Sequence, residues 1–210
     1  MLREPVDFTT GFVFTISPAN KESYGDGLAF FIAANGSLLD GTVGTGSSLG
    51  LPVDDQHPFV AGTFDINSGS YSLGINLNSV DSSNTALVDG VTMEGQQNSG
   101  TITYDSGTKW LHVSVSTTYD SGTKWRNLSR TVNLQDYFPE SVIVVGFSAS
   151  TGSAFAQHKI ISWKFTSTSA ALVPSSPIQK NDSLVPSGQT SKNESQVVLP
   201  TAPGTTRKRA

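Results

Sequence analysis

The sequence predicts an all-β protein built from two packed antiparallel sheets. Three observations carry that prediction. Apolar residues recur with a period of two in short runs, the runs are rich in β-branched and aromatic residues, and Gly, Asn, Asp and Ser bound them. No stretch has the spacing of an amphipathic helix, and many short strands separated by frequent turn signals pack as two layers.

Taken in chain order, Phe12, Phe14 and Ile16 alternate with polar or small residues as the first clear strand. Leu73, Ile75 and Leu77 repeat the pattern, as do Leu111, Val113 and Val115; Ile161, Trp163 and Phe165 are expected on one face of the closing strand. The octapeptide Thr103-Tyr104-Asp105-Ser106-Gly107-Thr108-Lys109-Trp110 recurs letter for letter at 118–125. Two copies of so short a unit do not make a solenoid. Each copy holds Asp-Ser-Gly, which suits a tight turn with the glycine at positive φ. The repeat therefore reads as a local duplication that extends a hairpin by one turn; paired turns forming a binding edge are the alternative.

Composition divides the chain near residue 168. All 3 Trp, 5 Tyr and 11 Phe precede it, whereas five prolines (Pro174, Pro177, Pro186, Pro200, Pro203) follow it among Ser, Thr, Asn and Gln. Residues 1–168 are expected to fold as one domain. Residues 169–210 are expected to be a Pro/Ser-rich disordered tail or stalk, because they bury too little apolar surface to offset ordering entropy. A net charge of −4 across 210 residues excludes a phosphate-tracking surface, so no nucleic-acid partner is expected. The absence of Cys excludes disulfide scaffolds, thiolate zinc sites and cysteine nucleophiles. No apolar run approaches the roughly 20 residues of a membrane helix, and Met1-Leu2-Arg3-Glu4-Pro5 lacks the apolar stretch of a secretory signal. His57, His112 and His158 lie far apart, without metal-ligand spacing, and the three Trp fall in strand patterns as core or rim residues. Asn35, Asn127, Asn181 and Asn193 each open an Asn-X-Ser triplet, which matters only on the secretory route.

Four further segments fall in a telling order: Tyr24-Gly25-Asp26-Gly27-Leu28-Ala29-Phe30-Phe31-Ile32-Ala33, Phe59-Val60-Ala61-Gly62-Thr63-Phe64-Asp65, Leu73-Gly74-Ile75-Asn76-Leu77-Asn78-Ser79, and 144–152 continuing into 158–165. Together they resemble the legume-type (L-type) lectins across roughly residues 5–168. The Gly146-Phe147-Ser148-Ala149-Ser150-Thr151-Gly152 variant is most similar to the ectodomains of plant lectin-receptor kinases. The resemblance implies a jelly-roll sandwich, a place outside the cell or at its surface, and pairing of two copies through their back sheets as a possible homodimer. It also implies strands ahead of Phe8 that this chain lacks, as in an N-terminally truncated product, and unpaired edges in their place.

In that family a loop aspartate, matched here by Asp26, accepts hydrogen bonds from two sugar hydroxyls. A backbone N–H from a Gly-rich loop assists, matched by Gly46 and Ser47 within 44–50, and Asn67 stands in for the family's amide. The expected partner is a glycan or glycoprotein. The family also holds Ca²⁺ and Mn²⁺, but Thr63 replaces its first acidic ligand, Ser72 its histidine, and the loop between Asp65 and Ser72 is short. Asp65 is a remnant, and two side-chain oxygens do not fill a calcium shell of six to eight. Metal loss is the expectation, with Gly25–Asp26 relaxed from the family's cis peptide to trans and sugar affinity weakened. A metal-free domain that binds protein or an apolar ligand on the same scaffold is the alternative. Hydrolysis is not expected: it needs two facing carboxylates, and Glu94 and Glu140 are isolated.

Overall fold

A computed structural model describes residues 6–18, 24–34, 44–53, 57–67, 70–79, 85–87, 93–139 and 143–168. The expected tail at 169–210 and the triplets at Asn35, Asn181 and Asn193 lie outside the described residues. Ten strands are described: β1 (Phe8–Pro18), β2 (Gly25–Ala34), β3 (Phe59–Asn67), β4 (Ser70–Leu77), β5 (Thr85–Leu87), β6 (Gln97–Asp105), β7 (Trp110–Tyr119), β8 (Gly122–Thr131), β9 (Ile143–Ser150) and β10 (Ala156–Ser167). One sheet has the order β10-β1-β6-β7-β8 and the other β5-β4-β3-β2-β9. Every neighbouring pair is antiparallel. Among the described residues the helical content is two single 3₁₀ turns, Gly46–Ser48 and Leu134–Asp136. No helix there is long and apolar enough to cross a membrane.

Alternation puts one side of each strand between the sheets. Phe12 and Phe14 of β1 meet Phe64 of β3 at 5.4 Å each, and Phe12 meets Phe147 of β9 edge-on at 4.8 Å. Phe8, Phe30, Leu73, Ile75, Ile102, Leu111 and Val113 complete this buried layer. The strand β2 is buried on both faces. Its second face carries Ala29 and Ala33, which pack with Phe59, Ala61, Leu49 and Leu51 in a separate small cluster. The 44–51 segment is thereby fastened over the outside of the second sheet.

Two local expectations are corrected. Along β10 the pairing with β1 slips between Val13 and Phe14, whose partners are Ser162 and Ile160. The intervening Ile161 is bulged and 49% exposed, while Ile160, Trp163 and Phe165 pack on the core. A single extra residue reverses which side chains face inward, so the regular alternation through Ile161 fails.

The octapeptide repeat does build two successive hairpins, but they differ. The first is closed by the pair Asp105↔Trp110 around a four-residue loop, the second by Tyr119↔Gly122 around two residues. In the first it is Lys109, not Gly107, that takes positive φ (60°); in the second Gly122 does (118°). The first loop is held by one contact from outside the repeat and one within it. Asp7 Oδ1 accepts hydrogen bonds from Ser106 N–H (2.8 Å) and Oγ–H (2.6 Å), and Asp105 Oδ1 accepts one from Thr108 N–H (2.7 Å).

Candidate functional site

The site grows from the start of β2. Gly25–Asp26 is a cis peptide, which corrects the expected trans bond. Both residues lie inside the β2–β3 ladder, Gly25 opposite Asn67 and Asp26 opposite Ile66, so the sheet itself frames the bond. Gly27 follows at φ 136°, and a Cβ there would run into the Phe64 carbonyl. Only glycine lets β2 and β3 close up beside Asp26.

Two other segments converge on Asp26. The backbone N–H of Gly152, just past β9, donates a hydrogen bond to its carboxylate. A Cβ built on Gly152 would lie 3.4 Å from Asp26 Oδ2, and one on Gly46 would lie 3.8 Å from it. Asp26 Oδ2 is buried and has no hydrogen-bond partner among the described residues. Burial raises the Asp26 pKa above the ordinary carboxylate value, with the Gly152 N–H opposing that shift. Of the residues picked from sequence, Asp26 and Gly46 are brought together. Ser47 is the exposed next residue of the same turn, and Asn67 ends β3 opposite Gly25. Sequence reasoning missed Gly152; the signal was its place at the end of the Gly-Phe-Ser-Ala-Ser-Thr-Gly run.

The loop carrying Gly46 is fixed by its own chemistry. Ser150 Oγ donates to Gly46 O at 2.6 Å and Ser148 Oγ to Leu49 O at 2.7 Å. Gly44 N–H donates to Leu51 O at 2.9 Å. Leu49 and Leu51 are 1% and 0% exposed, each an anchor of about 1.5–3 kcal/mol in apolar burial. These contacts hold the loop against β2 and β9.

Behind Asp26 lies Asp65 on β3. Its Oδ2 accepts hydrogen bonds from Ser72 Oγ (3.2 Å) and Thr63 Oγ1 (3.3 Å), and Thr63 Oγ1 also lies 3.0 Å from Asn76 Oδ1. Burial pushes the Asp65 pKa up to about 6, against those hydrogen bonds and aided by the neighbouring Asp26 charge. Among the described residues no group of three or more His, Cys, Asp or Glu could hold a metal. Among the described residues Asp65 meets two hydroxyls, whereas a hard cation takes six to eight oxygens.

The site has a pH signature that a second group masks. His158 on β10 has a buried Nε2 without a partner among the described residues, and burial lowers its pKa to about 4. Asp65 keeps in the fold a proton that the unfolded chain releases near 3.8; its contribution is present in acid and lost as pH rises towards 6. His158 works the other way. The unfolded chain takes up its proton near 6.5, so stability is lost as pH falls towards 4. The slopes oppose, each spanning at most about 3 kcal/mol. Thermal melts between pH 4 and 6.5 are expected to be nearly flat for the wild type. They should fall with acid for Asp65→Asn and rise with acid for His158→Gln.

The comparisons with known proteins agree with this fold. The legume lectin domain matches residues 2–181. Lectin 8 of Medicago truncatula is 34% identical over 178 residues, which cover 77% of this chain and 64% of that protein. The L-type lectin-domain containing receptor kinase VIII.2 of Arabidopsis thaliana is 31% identical over 176 residues, covering 79% of this chain and 24% of the kinase. This chain thus spans less than two thirds of either relative. In crystal structures, basic winged bean lectin with Tn-antigen superposes with a TM-score of 0.65 at 33% identity, covering 79% of this chain and 72% of that one. Sandwich topology, the Asp26 loop and these matches lead to one conclusion: the chain belongs to the legume lectin domain family.

Proposed function

We propose that this domain binds carbohydrate reversibly through Asp26, outside the cell or at its surface, and carries out no covalent step. The observation that carries the reading is Asp26 Oδ2, a buried acceptor without a partner among the described residues, beside the backbone of Gly46 and Gly152. A carboxylate in that state is completed by the hydroxyl donors of a sugar. Asn67 at the end of β3 and Ser47 beside Gly46 are the neighbouring polar candidates.

The reading further holds that recognition needs no Ca²⁺ or Mn²⁺. Hydroxyls of Thr63 and Ser72 meet Asp65 where a cation would require acidic and imidazole ligands, while Leu49, Leu51, Ser148 and Ser150 fasten the loop. With fewer polar groups around the sugar, affinity for monosaccharides is expected in the millimolar range.

Calorimetric titration with monosaccharides, short glycans and a Tn-antigen glycopeptide tests both parts. Binding is expected to be unchanged, within about twofold, by EDTA or by added Ca²⁺ and Mn²⁺. Calcium-dependent binding below millimolar would overturn the metal-free part. Silence on every glycan together with a stable protein complex would replace the sugar reading with a protein-interaction domain on the same scaffold.

A further inference from the structure

The outer corner of the first sheet carries a feature that sugar binding at Asp26 leaves unused. Among the described residues strand β8 ends that sheet and pairs with β7 on one side only. Trp125, Asn127 and Ser129 alternate along β8 and share one face, opposite Ser116, Ser114 and His112; Leu128 between them packs against the core. That face looks outward. Trp125 is 63% exposed and Asn127 is exposed. Asn127-Leu128-Ser129 is also an Asn-X-Ser triplet, and the residue opposite Asn127 is the small Ser114.

We propose that Asn127 is an N-glycosylation site and that the first sugar of its glycan lies on the Trp125 indole. Two residues along a strand are about 6.6 Å apart, a distance that a pyranose ring spans. The C–H face of the ring covers an aromatic surface that is otherwise left to water. The modification rests on the extracellular placement in the proposed function. Its co-reactant is a lipid diphosphate-linked oligosaccharide of the secretory membranes. The Asn127 Nδ2 bonds to C1 of the first N-acetylhexosamine and gives up one proton. The C1–oxygen bond breaks with its electron pair staying on the departing lipid diphosphate. Transfer takes place on the extended chain, before Ser129 Oγ settles 2.6 Å from His112 Nδ1.

The test uses the full chain translated behind a cleavable secretory signal in the presence of rough microsomes, with Asn35→Gln, Asn181→Gln and Asn193→Gln together. One glycosidase-sensitive glycan is expected, lost in Asn127→Gln and in Ser129→Ala. A chain inside the microsomes, shown by signal cleavage and protease protection, that carries no glycan overturns the proposal. Native routing is read separately by fractionating the source tissue, so failure of the extracellular reading is distinguishable from failure of the acceptor. For the stacking, Trp125→Ala is expected to lower Tm about 2–4 °C more in the glycosylated protein than in the Asn127→Gln background, the effect of one aromatic contact in a domain of this size. Equal drops in both backgrounds overturn it.

Discussion

Asp26→Asn is expected to weaken glycan binding at least a hundredfold while leaving the fold intact. Each hydrogen bond from a sugar hydroxyl to a carboxylate is worth about 1.5–3 kcal/mol, so losing one of the two and leaving the other on a neutral amide oxygen costs roughly 3–4 kcal/mol. Asparagine preserves the shape but presents an N–H₂ group where one of the hydroxyls must donate. Its thermal stability is expected to equal or exceed that of the wild type, because a carboxylate whose pKa is raised by burial is itself a cost to the fold. The same shift sets a direction with pH: binding should fade in acid as Asp26 takes up a proton, beginning above the ordinary carboxylate range. Glycan titration of the two proteins checks all of this, and unchanged affinity in Asp26→Asn would remove Asp26 from the site.

Phe12→Ala is expected to cost about 3–5 kcal/mol, a large part of the 5–15 kcal/mol that holds a domain together. The ring of Phe12 joins the two sheets. It meets Phe14 at 5.7 Å on its own strand, and Phe30 (6.4 Å), Phe64 (5.4 Å) and Phe147 (4.8 Å) on the other sheet. On its own sheet, a Cβ added at Gly100 would strike the Phe12 ring, so the cavity left by alanine has rigid walls on several sides. Ile161→Ala is the control. Although Ile161 continues the alternation of Trp163 and Phe165 in sequence, it is 49% exposed and should cost within about 0.5 kcal/mol. Urea unfolding of the pair measures both, and a comparable cost at Ile161 would contradict the bulge in β10.

Much of the candidate site was legible in the residues. Asp26 lies between two glycines ahead of an apolar run, and that pattern identifies the loop without any coordinates. Thr63 and Ser72, where the family has an acidic residue and a histidine, were equally plain. What they would do to the loop was not. A trans peptide and a displaced Asp26 followed from thinking of the ions as the only brace. The structure has other braces: the ladder partners Ile66 and Asn67, the hydrogen bonds of Ser148 and Ser150, and the buried Leu49 and Leu51. Gly152 escaped notice because a backbone N–H carries no side-chain signature, and nothing in its neighbours says which carboxylate it will face.

The sequence by itself determined the all-β class, the strands around Phe12, Leu73 and Leu111, the family, and the lone carboxylate at Asp65. Period, side-chain type and motif are local properties, readable one segment at a time. Tertiary structure alone decided three things: the outward turn of Ile161, the docking of 44–51 over β2, and the different loops of the identical octapeptides. In that last case the two copies are the same string of letters, so no local rule can separate them. A single carboxylate outside the repeat, Asp7, accepts two hydrogen bonds from Ser106 in the four-residue loop of the first copy. Such contacts join residues far apart along the chain, and they exist only once the sheets have brought those residues together.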